Sequence, residues 1–128
     1  MHRAYIHAEE SGNYTFTFEN VDETVYMWIG STAYSGWTAD NANIEVSYIV
    51  SGNGPGQGSY TIYLLAGTYY PFRIMFAQAQ GYGSLTVTAA SPNGTIFLSS
   101  STRLSPYLVE HSCDNVTAPS FPYYGLET

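Results

Sequence analysis

Apolar and polar residues alternate with a period of two along most of this chain, and helical periodicity is almost absent. Tyr14-Thr15-Phe16-Thr17-Phe18 puts aromatics on one face and threonines on the other, as a strand with one buried face should. Within Asn43 to Val50, residues Ile44, Val46, Tyr48 and Val50 point one way, and within Tyr60 to Leu65, Ile62 and Leu64 do the same. Phe72, Ile74 and Phe76 alternate with Arg73 and Met75; Leu85, Val87 and Ala89 form another face, and Thr95 to Leu98 a short one. Val25 to Ile29 is instead a continuous apolar run, which suits a strand covered on both faces.

Turn chemistry separates these runs: Glu10-Ser11-Gly12-Asn13, the Gly-rich stretch from Ser51 to Gly58, Ala66-Gly67-Thr68, and Ser91-Pro92-Asn93-Gly94. Short strands at regular intervals predict an all-β fold, an antiparallel β-sandwich or barrel. Its core is expected to contain Phe16, Ile44, Val46, Ile62, Leu64, Ile74, Phe76, Leu85 and Val87. Residues 1–110 carry this pattern. Residues 111–128, rich in Pro, Ser and Tyr, are expected to form an extended tail or linker.

Composition narrows the function. The 128 residues are 45% hydrophobic and 16% aromatic, enough for one core, but only 10% are charged. Arg3, Arg73 and Arg103 are the only basic residues besides histidine, and ten acids bring the net charge to −7. Such a chain cannot neutralise a row of phosphates, so nucleic acid and anionic membrane surfaces are poor partners. No apolar run approaches the roughly 20 residues that cross a bilayer as a helix. Three N-glycosylation sequons, at Asn13, Asn93 and Asn115, point to a secretory route. Cys113 is the lone cysteine, either a buried free thiol or one whose partner lies in another segment. His2, His7 and His111 show no metal-ligand spacing, and neither a Gly-x-Ser-x-Gly elbow nor a phosphate loop occurs. A binding domain is expected, not an enzyme.

The order of motifs resembles a known family. Ser11-Gly12-Asn13-Tyr14-Thr15-Phe16, Val21-Asp22-Glu23, Trp28-Ile29-Gly30, Ala66 to Ile74 with Gly67-Thr68-Tyr69-Tyr70-Pro71, and Ser112-Cys113 to Pro119 follow one another as in the GLEYA and flocculin-type fungal adhesin domains. The resemblance runs from about Ile6 to Pro119. It implies a protective-antigen-type lectin fold at an extracellular site, on the cell surface or cell wall. The implied partners are cell-surface glycans or glycoproteins. It also implies further N-terminal family segment before Arg3, so the 1–110 unit is expected to be N-terminally incomplete.

The resemblance further implies a calcium site. In the family two adjacent, cis-linked Asp residues and an Asn side chain with two backbone carbonyls hold the ion, and the ion helps hold a sugar diol. The matching positions are Asp22 and Glu23, then Gln78, with the carbonyls of Gln80 and Tyr82. Oxygen donors of this kind suit Ca²⁺ better than Zn²⁺. Glu23 and Gln78 are each one methylene longer than the family residue. Either the ring is enlarged, or Asp22-Glu23 is a plain solvated turn and the domain a non-binding structural or accessory module of the cell wall. Trp37 stands in a Gly-containing loop, where it would stack on a sugar at the rim of that site or cap the end of the sandwich.

Overall fold

The computed structural model describes residues 2–47, 56–77, 85–99 and 106–123. Alternation produces the strands that the pattern predicts. In β2 (Gly12–Val21), Tyr14, Phe16 and Phe18 are completely buried, while Thr15 and Thr17 face outward. Thr15 pairs across to Thr61 of β5 (Gly56–Leu64), their hydroxyls 3.1 Å apart. β2 also pairs with β7 (Thr86–Ala90), and β7 with the short β8 (Ile96–Leu98). This gives one antiparallel sheet in the order β5-β2-β7-β8.

The second sheet has the order β4-β3-β6-β1-β9, built from β4 (Ile44–Ser47), β3 (Thr24–Ile29), β6 (Tyr69–Ala77), β1 (His2–His7) and β9 (Leu108–Val109). The two sheets close over a core containing Ile6, Phe16, Val25, Met27, Val46, Leu64, Phe72, Ile74 and Phe97. Of the core positions expected from alternation, Phe16, Val46, Leu64 and Ile74 are buried. Ile44, Ile62, Phe76, Leu85 and Val87 are half-buried and pack against that core. Tyr48 and Val50, expected to extend β4, lie outside the described residues.

Two strands were not predicted, β1 and β9. His2-Arg3-Ala4-Tyr5-Ile6-His7 does not alternate, because Tyr5 and Ile6 are both buried, at 3% and 0% exposure. Ile6 enters the core, whereas Tyr5 points to the opposite face of the sheet. That outer face is covered. Part of the cover is the chain between β3 and β4, with its single helical turn α1 (Ser31–Tyr34) and a 3-10 turn at Ala39–Asn41. The rest comes from residues 112–121, which lie in the segment expected as a tail. The Tyr5 hydroxyl donates to the Pro119 carbonyl at 2.6 Å, and the Phe121 ring stands 5.0 Å from Tyr5 and 5.3 Å from Tyr34. Ala118 and Ser112 of this segment are buried.

Candidate functional site

The Asp22-Glu23 turn carries the chain from one sheet to the other, since β2 and β3 lie in different sheets. A bulge between Phe18 and Val21, with Asn20 at φ 55°, turns Val21 back into the core immediately before it. Asp22 and Glu23 are half-buried, and Glu23 has φ 145°, a backbone region that L residues rarely adopt. The described residues contain no cis peptide bond, so the Asp22–Glu23 linkage is trans and differs from the cis linkage that the resemblance implies.

Strand register decides what stands beside this turn. Thr24 pairs with Ser47 on one side and with Ala77 on the other, and its hydroxyl lies 3.1 Å from that of Ser47. Val21 pairs with Gly56, and Glu19 with Thr86. The strand ends that border the turn are therefore Ser47, Gly56, Ala77 and Thr86, all at one end of the sandwich. Gly56 permits this closeness: a Cβ there would lie 2.0 Å from the Ser47 carbonyl oxygen. An open depression of about 390 Å³, lined by Thr17, Phe18, Glu19, Gln57, Gly58 and Ser59, flanks the same end.

Of the residues expected to act together, Asp22 and Glu23 are adjacent and Ala77 leads from their side toward Gln78. Gln78, Gln80 and Tyr82 themselves lie outside the described residues. Among the described residues, no three His, Cys, Asp or Glu side chains come together to hold a metal ion. Any ion at this turn would need oxygen donors beyond the two carboxylates.

Trp37 is not brought to this end. Its ring packs edge-to-face on Trp28 at 5.5 Å, and the Arg73 guanidinium lies 4.9 Å from its centroid. Trp28 pairs with Arg73, four residues along β3 from Thr24, which is about 13 Å at strand rise. The structure packs Trp37 over Arg73 on the outer face of the sheet, so both expected places, the rim beside Asp22 and a cap on the end of the sandwich, are corrected. The physical reason is the buried Arg73: its Nε donates to the Ala33 carbonyl at 3.0 Å, and the half-buried indole covers its guanidinium.

Sequence reasoning missed a second depression on the outer face, about 210 Å³, lined by Tyr5, Tyr34, Tyr69, Pro71, Thr117 and Pro119. Its walls come from four separate stretches of chain. No local pattern could have announced it.

Two antiparallel sheets closed over one core make this fold a β-sandwich. The chain belongs to the GLEYA domain family, whose model matches residues 1–91. Its relatives include three Saccharomyces cerevisiae flocculation proteins. Flocculation protein FLO9 is 30% identical over 99 residues, covering 71% of this chain and 8% of that protein. Flocculation protein FLO1 is 29% identical over 99 residues, covering 71% of this chain and 6% of that protein. Flocculation protein FLO10 is 27% identical over 99 residues, covering 71% of this chain and 8% of that protein. The chain spans less than a tenth of the length of these relatives.

Proposed function

We propose that this chain is the carbohydrate-binding domain of a cell-surface or cell-wall adhesin, and that it mediates adhesion between cells by holding neutral glycans or glycoproteins of a facing surface. The carrying observation is the register that sets Thr24 beside both Ser47 and Ala77, which puts the adjacent carboxylates of Asp22 and Glu23 beside the strand end that leads on to Gln78. The family match and the flocculation proteins among the relatives support the adhesive role. The net charge of −7 with three basic residues besides histidine favours an uncharged ligand over an anionic one.

Calcium is part of the proposal. The donor chemistry fits it: Asp22 and Glu23 carry hard anionic oxygens, and Gln78, Gln80 and Tyr82 offer neutral ones. Bound there, the ion would supply a Lewis-acidic anchor for vicinal hydroxyls. The protein's own contribution is to hold Asp22 at the end of a bulged, fully packed strand, so that its carboxylate loses little freedom on binding.

The test is a glycan array read with Ca²⁺ and with chelator, alongside calorimetry of wild type and Asp22→Asn. Chelator-sensitive glycan binding that Asp22→Asn weakens at least tenfold is expected. Glycan binding untouched by chelator would remove the ion and keep the lectin. Binding of no glycan would leave the non-binding cell-wall module as the function.

A further inference from the structure

The chain has six asparagines among the described residues, and the structure divides them into two sets of three. Asn20 Nδ2 donates to Thr86 Oγ1 at 3.2 Å, Asn41 Nδ2 to the Gly36 carbonyl at 2.9 Å, and Asn43 Nδ2 to the Tyr60 hydroxyl at 3.2 Å. None of these three stands in a sequon. Asn13, Asn93 and Asn115 each head an Asn-x-Thr sequon, and all three are exposed. Asn93 uses its Oδ1 as acceptor, from Ser91 Oγ and the Thr95 amide. Asn115 does likewise, from the amide and hydroxyl of Ser120. No Nδ2 of these three meets a hydrogen-bond partner among the described residues. A glycosylated asparagine keeps its Oδ1 and gives up one Nδ2 hydrogen, so the hydrogen bonds seen here survive modification.

Their positions add a second, independent observation. Asn13 pairs with Tyr63 at the start of β2, and Pro92, beside Asn93, lies so close to Gly12 that a Cβ there would be 2.7 Å away. Asn13 stands nine residues from Asp22 along β2, about 30 Å at strand rise. Thr117, of the Asn115 sequon, lines the depression with Tyr69, whose register partner His7 also lies at the end of its sheet away from Thr24. All three sequons therefore sit toward the end opposite the Asp22-Glu23 turn. Each also adjoins an exposed large apolar side chain. Tyr63, Ile96 and Val116, exposed by 60%, 47% and 78%, stand beside Asn13, the Asn93 turn and Asn115 respectively. Bare apolar groups at one end of a secreted domain are a liability that a bulky polar cover removes.

We infer that Asn13, Asn93 and Asn115 all carry N-linked glycans, which sheathe the end of the sandwich distal to Asp22 and leave the Asp22-Glu23 end bare. The inference rests on the proposed passage through the secretory route and not on what the domain binds. In the transfer, Asn Nδ2 forms a bond to the sugar C1 as the C1–O bond to the pyrophosphate of a lipid-linked oligosaccharide breaks. The lipid pyrophosphate leaves with the electron pair, and one amide proton passes to a base of the transferase.

The experiment is to secrete the whole chain from a yeast host behind a leader peptide and to map it by mass spectrometry. Treatment with peptide N-glycosidase converts each occupied Asn to Asp. Conversion at 13, 93 and 115 and nowhere else is the expected result, and Asn13→Gln, Asn93→Gln and Asn115→Gln should each remove one glycan's mass. A secreted chain of bare mass, or conversion at any other set of asparagines, overturns the inference. Should a Gln variant fail to be secreted, the wild-type map alone decides. Because occupancy is read by mass, its failure is distinct from failure to bind a glycan.

Discussion

Replacing Asn41 by Ala should loosen the whole cover over Trp28, although Asn41 itself is exposed. Its Oδ1 accepts from Trp28 Nε1 at 2.9 Å and from the Thr38 amide at 2.8 Å, while its Nδ2 donates to the Gly36 carbonyl at 2.9 Å. Trp28 Nε1 keeps a second acceptor, the Thr38 carbonyl at 2.8 Å, so no fully buried donor is orphaned. Three neutral hydrogen bonds at about 1 kcal/mol net each, reduced where water replaces the lost partner, give a loss of about 1.5–3 kcal/mol. For a domain of this size that lowers Tm by roughly 5–12 °C. Both tryptophans of the chain lie in this cluster, 5.5 Å apart, so intrinsic fluorescence in a urea titration reads it directly. Asn41→Asp keeps the acceptor for Trp28 and Thr38 and should lose less than half as much. A change below about 0.5 kcal/mol in Asn41→Ala, or an Asp variant worse than the Ala variant, would refute the idea that this side chain pins the loop.

The remaining expectations concern charge, strain and the C-terminal segment. Hydrogen bonds from the Ser112 hydroxyl, the Val116 and Thr117 amides and the Thr117 hydroxyl hold the Asp114 carboxyl well below the usual carboxylate range. Its contribution is thus present above about pH 4, the unfolded value, and lost as pH falls through the folded one; Asp114→Asn should flatten the acid limb of a urea-midpoint curve. Burial, then the neighbouring Tyr34, pushes the Tyr5 hydroxyl up to about 12. Stability from Tyr5 is therefore full below about pH 10 and is lost as pH rises through the folded value, so Tyr5→Phe should resist alkaline unfolding, followed by phenolate absorbance. Glu23→Gly should gain about 1 kcal/mol by relieving its backbone while weakening any Ca²⁺ heat in calorimetry; a loss of stability would contradict the strain. Removing residues 112–128 should expose Tyr5 and the Arg73 cluster and raise the binding of a hydrophobic dye, whereas an unchanged melt and no dye binding would mark the segment as a passive tail.

The sandwich was legible because period-two alternation needs only one buried face per strand; six strands meet that condition, and Val25 to Ile29 announces itself as a continuous apolar run. β1 was not, because its second face is buried by residues more than a hundred positions away, a contact that leaves no local period. The same contact hid the packing of residues 112–121: Pro119 and Phe121 look like linker residues until Tyr5 and Tyr34 stand beneath them. Trp28 lies in the apolar run expected to be covered on both faces, and it is fully buried, under the chain between β3 and β4 and not between the sheets. Trp37 shows the limit of loop chemistry. A tryptophan in a Gly-containing loop suits a sugar or a buried guanidinium equally, and only the register of Trp28 with Arg73 decides between them.

The Asp22-Glu23 turn stands on a stiff base, and the stiffness has identifiable sources. β2 is fixed on both sides, by β5 and β7, and its bulge ends in Val21, which has no exposed surface. β3 is likewise held on both sides, by β4 and β6, up to Thr24. The two residues between them join two strand ends, each paired on both sides, in different sheets, and Glu23 takes φ 145° there. A turn under that constraint has few conformations to lose on binding, so ligand interactions there are offset by little ordering entropy. The opposite end is built from tight turns, with Gly67 and Gly94 at positive φ and the Gly12–Pro92 contact locking β2 against the β7–β8 hairpin. β1 to β2 and β5 to β6 cross between the sheets there too, and its adjacent carboxylates, Glu9 and Glu10, are already engaged by His7 and by the Tyr107 hydroxyl. Asp22 and Glu23, by contrast, meet no side-chain partner among the described residues, and this is why the proposed ligand is placed at their end and the proposed glycans at the other.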